Sequence, residues 1–311
     1  MLWYALLVFP GLLFLVFFGW ILEYVDRKLY ARMQNRMGPP WFQPFADFVK
    51  LIAKEDLIPT EANAAMFKAM PVVALAAVLT AMLHVPVAGL RPALCFEGDV
   101  VVVVYLLTLP TLTFFLAGWH STSLYATIGS VRALTQLFAC EVPLLLAVLG
   151  PAVLAHTWSL NAMAAFYEQH PLYALTNLIG FLVALAALQG KLERVPFDTP
   201  EAETEIVGGT FTEYSGRLLA MFRLVVDMEM VAGISLLAAV FLPFGISLPW
   251  HWSFPLYLAK VGVILFLLAL LRTVTARLRI DQMVSFFWKY LAPAALFQLL
   301  LSLVLNWMVR P

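Results

Sequence analysis

Six carboxylates fall within one stretch of the chain, Lys191 to Arg223, which reads KLERVPFDTPEAETEIVGGTFTEYSGRLLAMFR. They are Glu193, Asp198, Glu201, Glu203, Glu205 and Glu213, with Arg194, Arg217 and Arg223 interleaved. Pro196 and Pro200 bracket Asp198, Gly208 and Gly209 follow, and Gly216 precedes another helical run, so the segment reads as a folded surface. A solvated connecting loop is the competing reading. Further ionisable groups interrupt apolar runs: Glu141 before Val142 and Pro143, Asp227 and Glu229 near the start of a span, and Lys260 within another. Charges at that depth are costly and face a bundle interior or a wet cavity. Carboxylates that run from a loop into a bundle can accept and release protons where burial raises their pKa values. Lys260 would bias such acids electrostatically. Glu23 and Asp26, beside Arg27 and Lys28, read equally as helix-end groups that snorkel to water.

Other chemistries find no support in the residues. His84 and His156 lie in apolar stretches, His120 starts a loop, and His170 and His251 fall at the other side of the spans. They are too scattered for a haem or metal centre, and hydrogen-bonded neutral rings are the reading for His84 and His156. Cys95 and Cys140 match no metal or redox spacing, so no iron–sulfur centre is expected in this chain. No glycine-rich phosphate loop appears. A formal net charge of zero gives no reason to expect nucleic acid.

These residues must be positioned by membrane helices. The 311 residues are 63% hydrophobic and only 12% charged, with mean hydropathy +0.89, which a soluble domain of this size does not support. The expected fold is all-α: a polytopic membrane protein with eight transmembrane helices and an amphipathic interfacial helix. The whole of 1–311 is read as a single integral membrane domain, without a cleavable signal peptide. Spans are expected over 1–22, 71–90, 100–118, 141–157 (extended back through Arg132), 171–190, 224–243 (with a helical lead-in from Ser215), 253–271 and 290–308, each long enough for the hydrocarbon layer. Residues 120–131 read as a polar connection, and 272–289 as a basic loop. Trp41, Phe42, Phe45, Phe48, Val49 and Ile52 recur at helical spacing opposite Asp47, Lys50 and Lys54, as in an interfacial helix; a core-packed helix competes. Sixteen of the nineteen Lys and Arg residues fall in the odd-numbered loops. The positive-inside bias therefore puts those loops in the cytoplasm and both termini outside. No internal repeat points to a duplicated transporter.

Three stretches carry a resemblance. EYVDRKLYARMQNRMGPP followed by QPFADFVKLIAKEDLIP, then VPFDTPEAETEIVGGTFTEYSG, and RALTQLFACEVPLLLAVLG resemble signatures of the NADH:quinone oxidoreductase (complex I) subunit 1 family. That family includes the matching subunit of membrane-bound, energy-converting hydrogenases. The resemblance covers nearly the whole chain. It implies a cell-membrane subunit that anchors a peripheral electron-transfer arm and couples it to ion translocation, with loops 23–68 and 191–223 forming the docking face. Carried onto this sequence, the coupling path falls to Glu141, Asp198, Glu201, Glu203, Glu205, Glu213, Asp227 and Glu229. Arg27, Arg32 and Arg36 belong to the docking face, where Asp198 and Glu201 are most exposed to the arm. Implied partners are a peripheral hydrogenase-like large subunit, iron–sulfur subunits, antiporter-like membrane subunits, lipid and, indirectly, ferredoxin. Iron–sulfur clusters and a nickel–iron centre would sit in those partners, none in this chain. Quinone-linked members carry a longer insertion where Gly38-Pro39-Pro40-Trp41-Phe42-Gln43-Pro44 here joins two motifs directly. The compact link resembles the hydrogenase branch with its sulfur-reducing relatives, and implies proton or sulfur-compound reduction from ferredoxin without quinone, coupled to proton or sodium movement. A quinone-chamber subunit, a structural anchor without coupling and a stand-alone transporter are the alternatives.

Overall fold

The computed structural model describes residues 2–245 and 248–309. Among them all regular structure is helical, apart from one isolated bridge between Val87 and Leu90. In chain order the helices are α1 (Leu2–Leu7), α2 (Leu12–Met33), α3 (Gln43–Ile52), α4 (Ala64–His84), α5 (Asp99–His120), α6 (Leu124–Ala155) and α7 (Leu160–Gln169). They continue as α8 (Pro171–Thr176), α9 (Leu178–Lys191), the single turn α10 (Glu203–Ile206), α11 (Gly216–Phe241), α12 (Trp250–Val274), α13 (Ile280–Phe286) and α14 (Ala292–Val309). Seven helical stretches are long and apolar enough to cross a membrane, and the shorter apolar α9, continued by α8 across Asn177, makes the eighth.

Several boundaries differ from the hydropathic expectation, for local reasons. The first span does not stop at Leu22: α2 runs on to Met33, because Glu23, Asp26 and Arg27 are paired with one another or with charges from other elements. The second begins at Ala64, where the Asn63 side chain accepts hydrogen bonds from the amides of Ala65 and Met66 and caps the helix. Pro71 is carried inside that helix. Residues 124–131, expected as a polar connection, are the first two turns of the 32-residue α6. Glu141 thus lies mid-helix instead of opening it, as do Asp227 and Glu229 in α11. The expected basic loop 272–289 contains α13, which passes through a π-turn at 287–291 into α14.

Helix α11 is the axis of the bundle. From Met228 to Phe241 every residue is buried, the pattern of a helix enclosed on all sides; α2, α3, α4, α5, α7, α9 and α12 all pack on it. Lipid is as apolar as leucine, so helix association in this setting rests on close packing and internal polar contacts. The loop between α9 and α11 is seated by such a contact. A Cβ added at Gly129 of α6 would lie 2.7 Å from the backbone of Gly209, and one at Gly209 (φ +55°) would lie 1.8 Å from the Pro200 carbonyl oxygen. Only glycine fits either place.

The odd-numbered connections meet at one end of the bundle. Arg194 reaches α2, Arg132 reaches Glu205, Arg277 reaches Asp198, and Ser215 bonds to the backbone of Glu55 and Leu57. Asp56 receives the Arg217 amide at 2.6 Å and its guanidinium at 2.8 Å, tying the α3–α4 connection to the first turn of α11.

Candidate functional site: a charged cavity at one end of the bundle

The 191–215 loop roofs a cavity of about 550 Å³ between α2, α3, α9, α11 and α12. Seven carboxylates and six cations line it, with Trp20, Phe48 and Leu51 among the apolar wall residues. Drug-sized ligand pockets are mostly apolar with few polar groups; this wall is the reverse.

Its first cluster joins α2 to the loop. Arg194 donates to Glu23 Oε2 at 2.5 Å and to Asp26 Oδ2 at 2.7 Å, and Arg272 of α12 donates to the same Asp26 oxygen at 2.8 Å. Glu23 also accepts from Arg27 at 2.6 Å, and Arg27 reaches on to Asp47 of α3 at 3.0 Å. Asp26 is only 1% exposed, so Glu23 and Asp26 do not snorkel: they point inward and hold two arginines from other elements. Burial works against the Arg194 cation, but Asp26 and Glu23 more than offset it and raise its pKa above the ordinary arginine value.

The second cluster lies deeper. Lys191, the last residue of α9, donates to Glu141 Oε2 at 2.9 Å, while Glu229, 1% exposed, projects from α11 into the same region. Between the clusters sits Glu193, whose pKa is raised well above the ordinary value by burial, then by the nearby charges of Glu201 and Glu229. Asp227 faces the cavity beside Glu23 and Arg194. Among the described residues, Glu141 Oε1, Glu193 Oε1 and Glu229 Oε1 are buried without a hydrogen-bond partner. Buried carboxylate oxygens left so are groups that take a proton or hold water.

The remaining acids of the loop are nearer the surface. Asp198 pairs with Arg277 at 3.0 Å, an ion pair without a hydrogen bond on that oxygen, and partial burial outweighs the arginine to raise its pKa. Glu201 pairs with Arg223 at 3.2 Å. Glu205 is exposed and accepts from Arg132 at 2.6 Å, which lowers its pKa. Glu213 is half-buried beyond these pairs; the Glu203 side chain lies outside the described residues. Arg32 and Arg36 are exposed at the end of α2 and just past it.

Gln136 of α6 positions the loop. It is 1% exposed and donates to the carbonyls of Gly190 and Phe197, both at 2.6 Å, while its own oxygen accepts from Thr199 at 2.7 Å. Nothing in its sequence surroundings marks it, beyond being an amide in an apolar run. Lys191, Arg194, Glu23 and Arg272 line the cavity, and Asp26 holds two of them; all are likewise absent from the sequence-based path. Their partners lie up to 246 residues away in the chain, so the pairing leaves no signal in the sequence.

Lys260 is not brought to the cavity. It donates to the Phe244 carbonyl in a small pocket with Ser235 and Tyr257, whose hydroxyls meet at 2.7 Å. His84, buried, bonds to the buried Asp99 at 2.9 Å, and His156 meets Asn306. Among the described residues no group of three or more His, Cys, Asp or Glu side chains is placed to hold a metal ion.

A model of the family described as NADH dehydrogenase matches residues 5–303. An NADH-quinone oxidoreductase subunit of Dehalococcoides mccartyi is 32% identical over 318 residues, covering 96% of this chain and 86% of the relative. Its counterpart from Brevibacillus brevis is 35% identical over 301 residues, covering 90% and 86%. Among solved structures, a chain of the membrane-bound sulfane sulfur reductase, an archaeal respiratory membrane complex, superposes with TM-score 0.84 at 27% identity, covering 93% of this chain and 96% of that one.

Proposed function

Because the chain belongs to the NADH dehydrogenase family, we propose that it is the membrane anchor and coupling subunit of a ferredoxin-driven complex. That complex reduces protons or a sulfur compound and moves protons or sodium ions. The chain itself carries out no redox step. A peripheral hydrogenase-like large subunit and iron–sulfur subunits hold the redox centres, and antiporter-like subunits continue the membrane arm. The complex sits in the cell membrane with the 23–68 and 191–223 loops in the cytoplasm and both termini outside, as the clustering of Lys and Arg in the odd loops supports.

The observation that carries this reading is the cavity wall, where thirteen of the twenty-two lining residues are charged. Such a wall favours water and mobile protons over a quinone ring and its tail. Exposed Arg32 and Arg36 and the half-buried Asp198 and Glu201 supply the docking face, together with Arg27 beneath it. Redox events in the arm shift the loop, and the acids below it respond: Glu193, Asp227 and Glu229 in the wall, then Glu141. The likeness to the sulfane sulfur reductase chain supports the branch.

A second reading rests on Trp20, Phe48 and Leu51 at the cavity and on the quinone in the relatives' names: a quinone site between α2, α3 and the loop. One experiment separates them. The purified intact complex receives reduced ferredoxin with protons, polysulfide or a quinone analogue supplied separately. Hydrogen or sulfide formation without quinone is expected; turnover that requires the quinone overturns the proposal.

A further inference from the structure

Lys191 is 2% exposed and has acids of two different helices near it. Its ammonium donates to Glu141 of α6, and Glu229 of α11, which lines the cavity with it, is within its electrostatic reach. The two acids face different ways. Glu229 lines the cavity with Lys191, whereas Glu141 does not line it and keeps 20% of its side chain exposed elsewhere. Each carboxylate also has one buried oxygen that accepts no hydrogen bond. Cys140 and Glu193 are the other titratable groups close by, and neither supplies a second cation. One cation can neutralise only one of the two carboxylates; the other, fully buried at Glu229 and partly buried at Glu141, lowers its desolvation cost by holding a proton.

We propose that Lys191 is a two-position switch, whose move from Glu141 to Glu229 passes one proton from the cavity through the wall. The inference rests on the coupling role proposed above and names the residue that gates it. In the arrangement seen here Glu141 is the paired carboxylate, and the proposed switch places the proton on the unpaired Glu229. When Lys191 swings to Glu229, that proton passes from Glu229 to Glu141, which has lost its cation; when Lys191 returns, Glu141 releases the proton on its own side and Glu229 takes a new one from the cavity. The trio stays neutral in both positions and no electron moves. The four-carbon stem of lysine allows the swing without helix movement. Two discrete positions of one charge are the kind of two-state element that coupling requires.

The test is reduction-induced difference infrared spectroscopy of the intact complex in lipid, read in the carboxylic-acid carbonyl region. The expected spectrum has one band lost and one gained. Either Glu229→Gln or Glu141→Gln removes both bands, because Lys191 then has one carboxylate partner and no second position. Lys191→Met removes both, but leaves a buried carboxylate without its cation, so Lys191→Met/Glu141→Gln serves as the assembled control. In that double variant Glu229 has no cation to receive, and its band stays silent. A Glu229 band that still responds there overturns the switch while leaving the coupling role intact. Absence of both bands in the wild type, with ion movement unchanged in Glu141→Gln and Glu229→Gln, overturns the coupling role itself.

Discussion

Replacing Asp26 by Asn tests whether the α2 carboxylates clamp the loop. The substitution keeps the side-chain size and removes the charge that Arg194 and Arg272 share at 2.7 and 2.8 Å. Hydrogen bonds to charged groups contribute about 1.5–3 kcal/mol each. Three features reduce the sum: asparagine still accepts one bond, Glu23 still holds Arg194, and the Arg272 side chain is 24% exposed to water. A loss of about 3 kcal/mol remains, at the low end for opening a buried pair. If loop opening governs exchange, that loss raises the open population by about 100-fold. Hydrogen exchange in the intact complex reads this at the Phe197 amide, which bonds to the Arg194 carbonyl at 2.8 Å. Exchange there should accelerate by about two orders of magnitude, while the α11 core amides keep their protection. A change of less than about threefold, well under 1 kcal/mol, would show that Asp26 does not hold the loop.

Gln136→Ala should open the same loop from its other side, since it strands the Gly190 and Phe197 carbonyls at about 1–3 kcal/mol each; exchange over 195–199 should rise at least about tenfold. Gly209→Ala should abolish assembly on a native gel, because its Cβ would lie 1.8 Å from a backbone carbonyl that cannot move aside like a flexible side chain. Glu193 gives a pH dependence of definite sign. Its pKa is raised in the folded loop, first by burial and then by Glu201 and Glu229. The folded loop therefore binds a proton that the open loop does not, and its stability is full below pH 4.5 and falls as pH rises through the folded value. Exchange protection of the loop measured against pH should show this decline, and Glu193→Gln should flatten it.

The membrane architecture was legible because apolar length is a direct signal, and the family because its motifs are long. What hydropathy could not see was pairing. It ended the first span at Leu22 because Glu23, Asp26 and Arg27 follow, yet these charges extend α2 by meeting Arg194, Arg272 and Asp47 from distant parts of the chain. The same limit hid Lys191 and Arg194, which in sequence are two more basic residues of a positive loop and in space neutralise Glu141, Glu23 and Asp26. Lys260 was the opposite case. A cation inside a span draws notice by composition alone, but it bonds to a carbonyl near Glu168, at a site separate from the cavity and its acids. Residues 124–131 read as a connection for their polar content, while the glycine contact of Gly129 with the 208–211 turn makes that stretch a packed helix.

The most direct test of coupling is to measure electron transfer and ion uptake together, in vesicles holding the intact complex with Glu229→Gln. Glu229 is buried in the central helix and faces the cavity. The account predicts electron transfer close to the wild-type rate with ion uptake per electron reduced at least about tenfold, the loss expected when a positioned proton carrier is removed. An unchanged ratio of ions to electrons would contradict it and leave the charged cavity as an anchor for the loop alone.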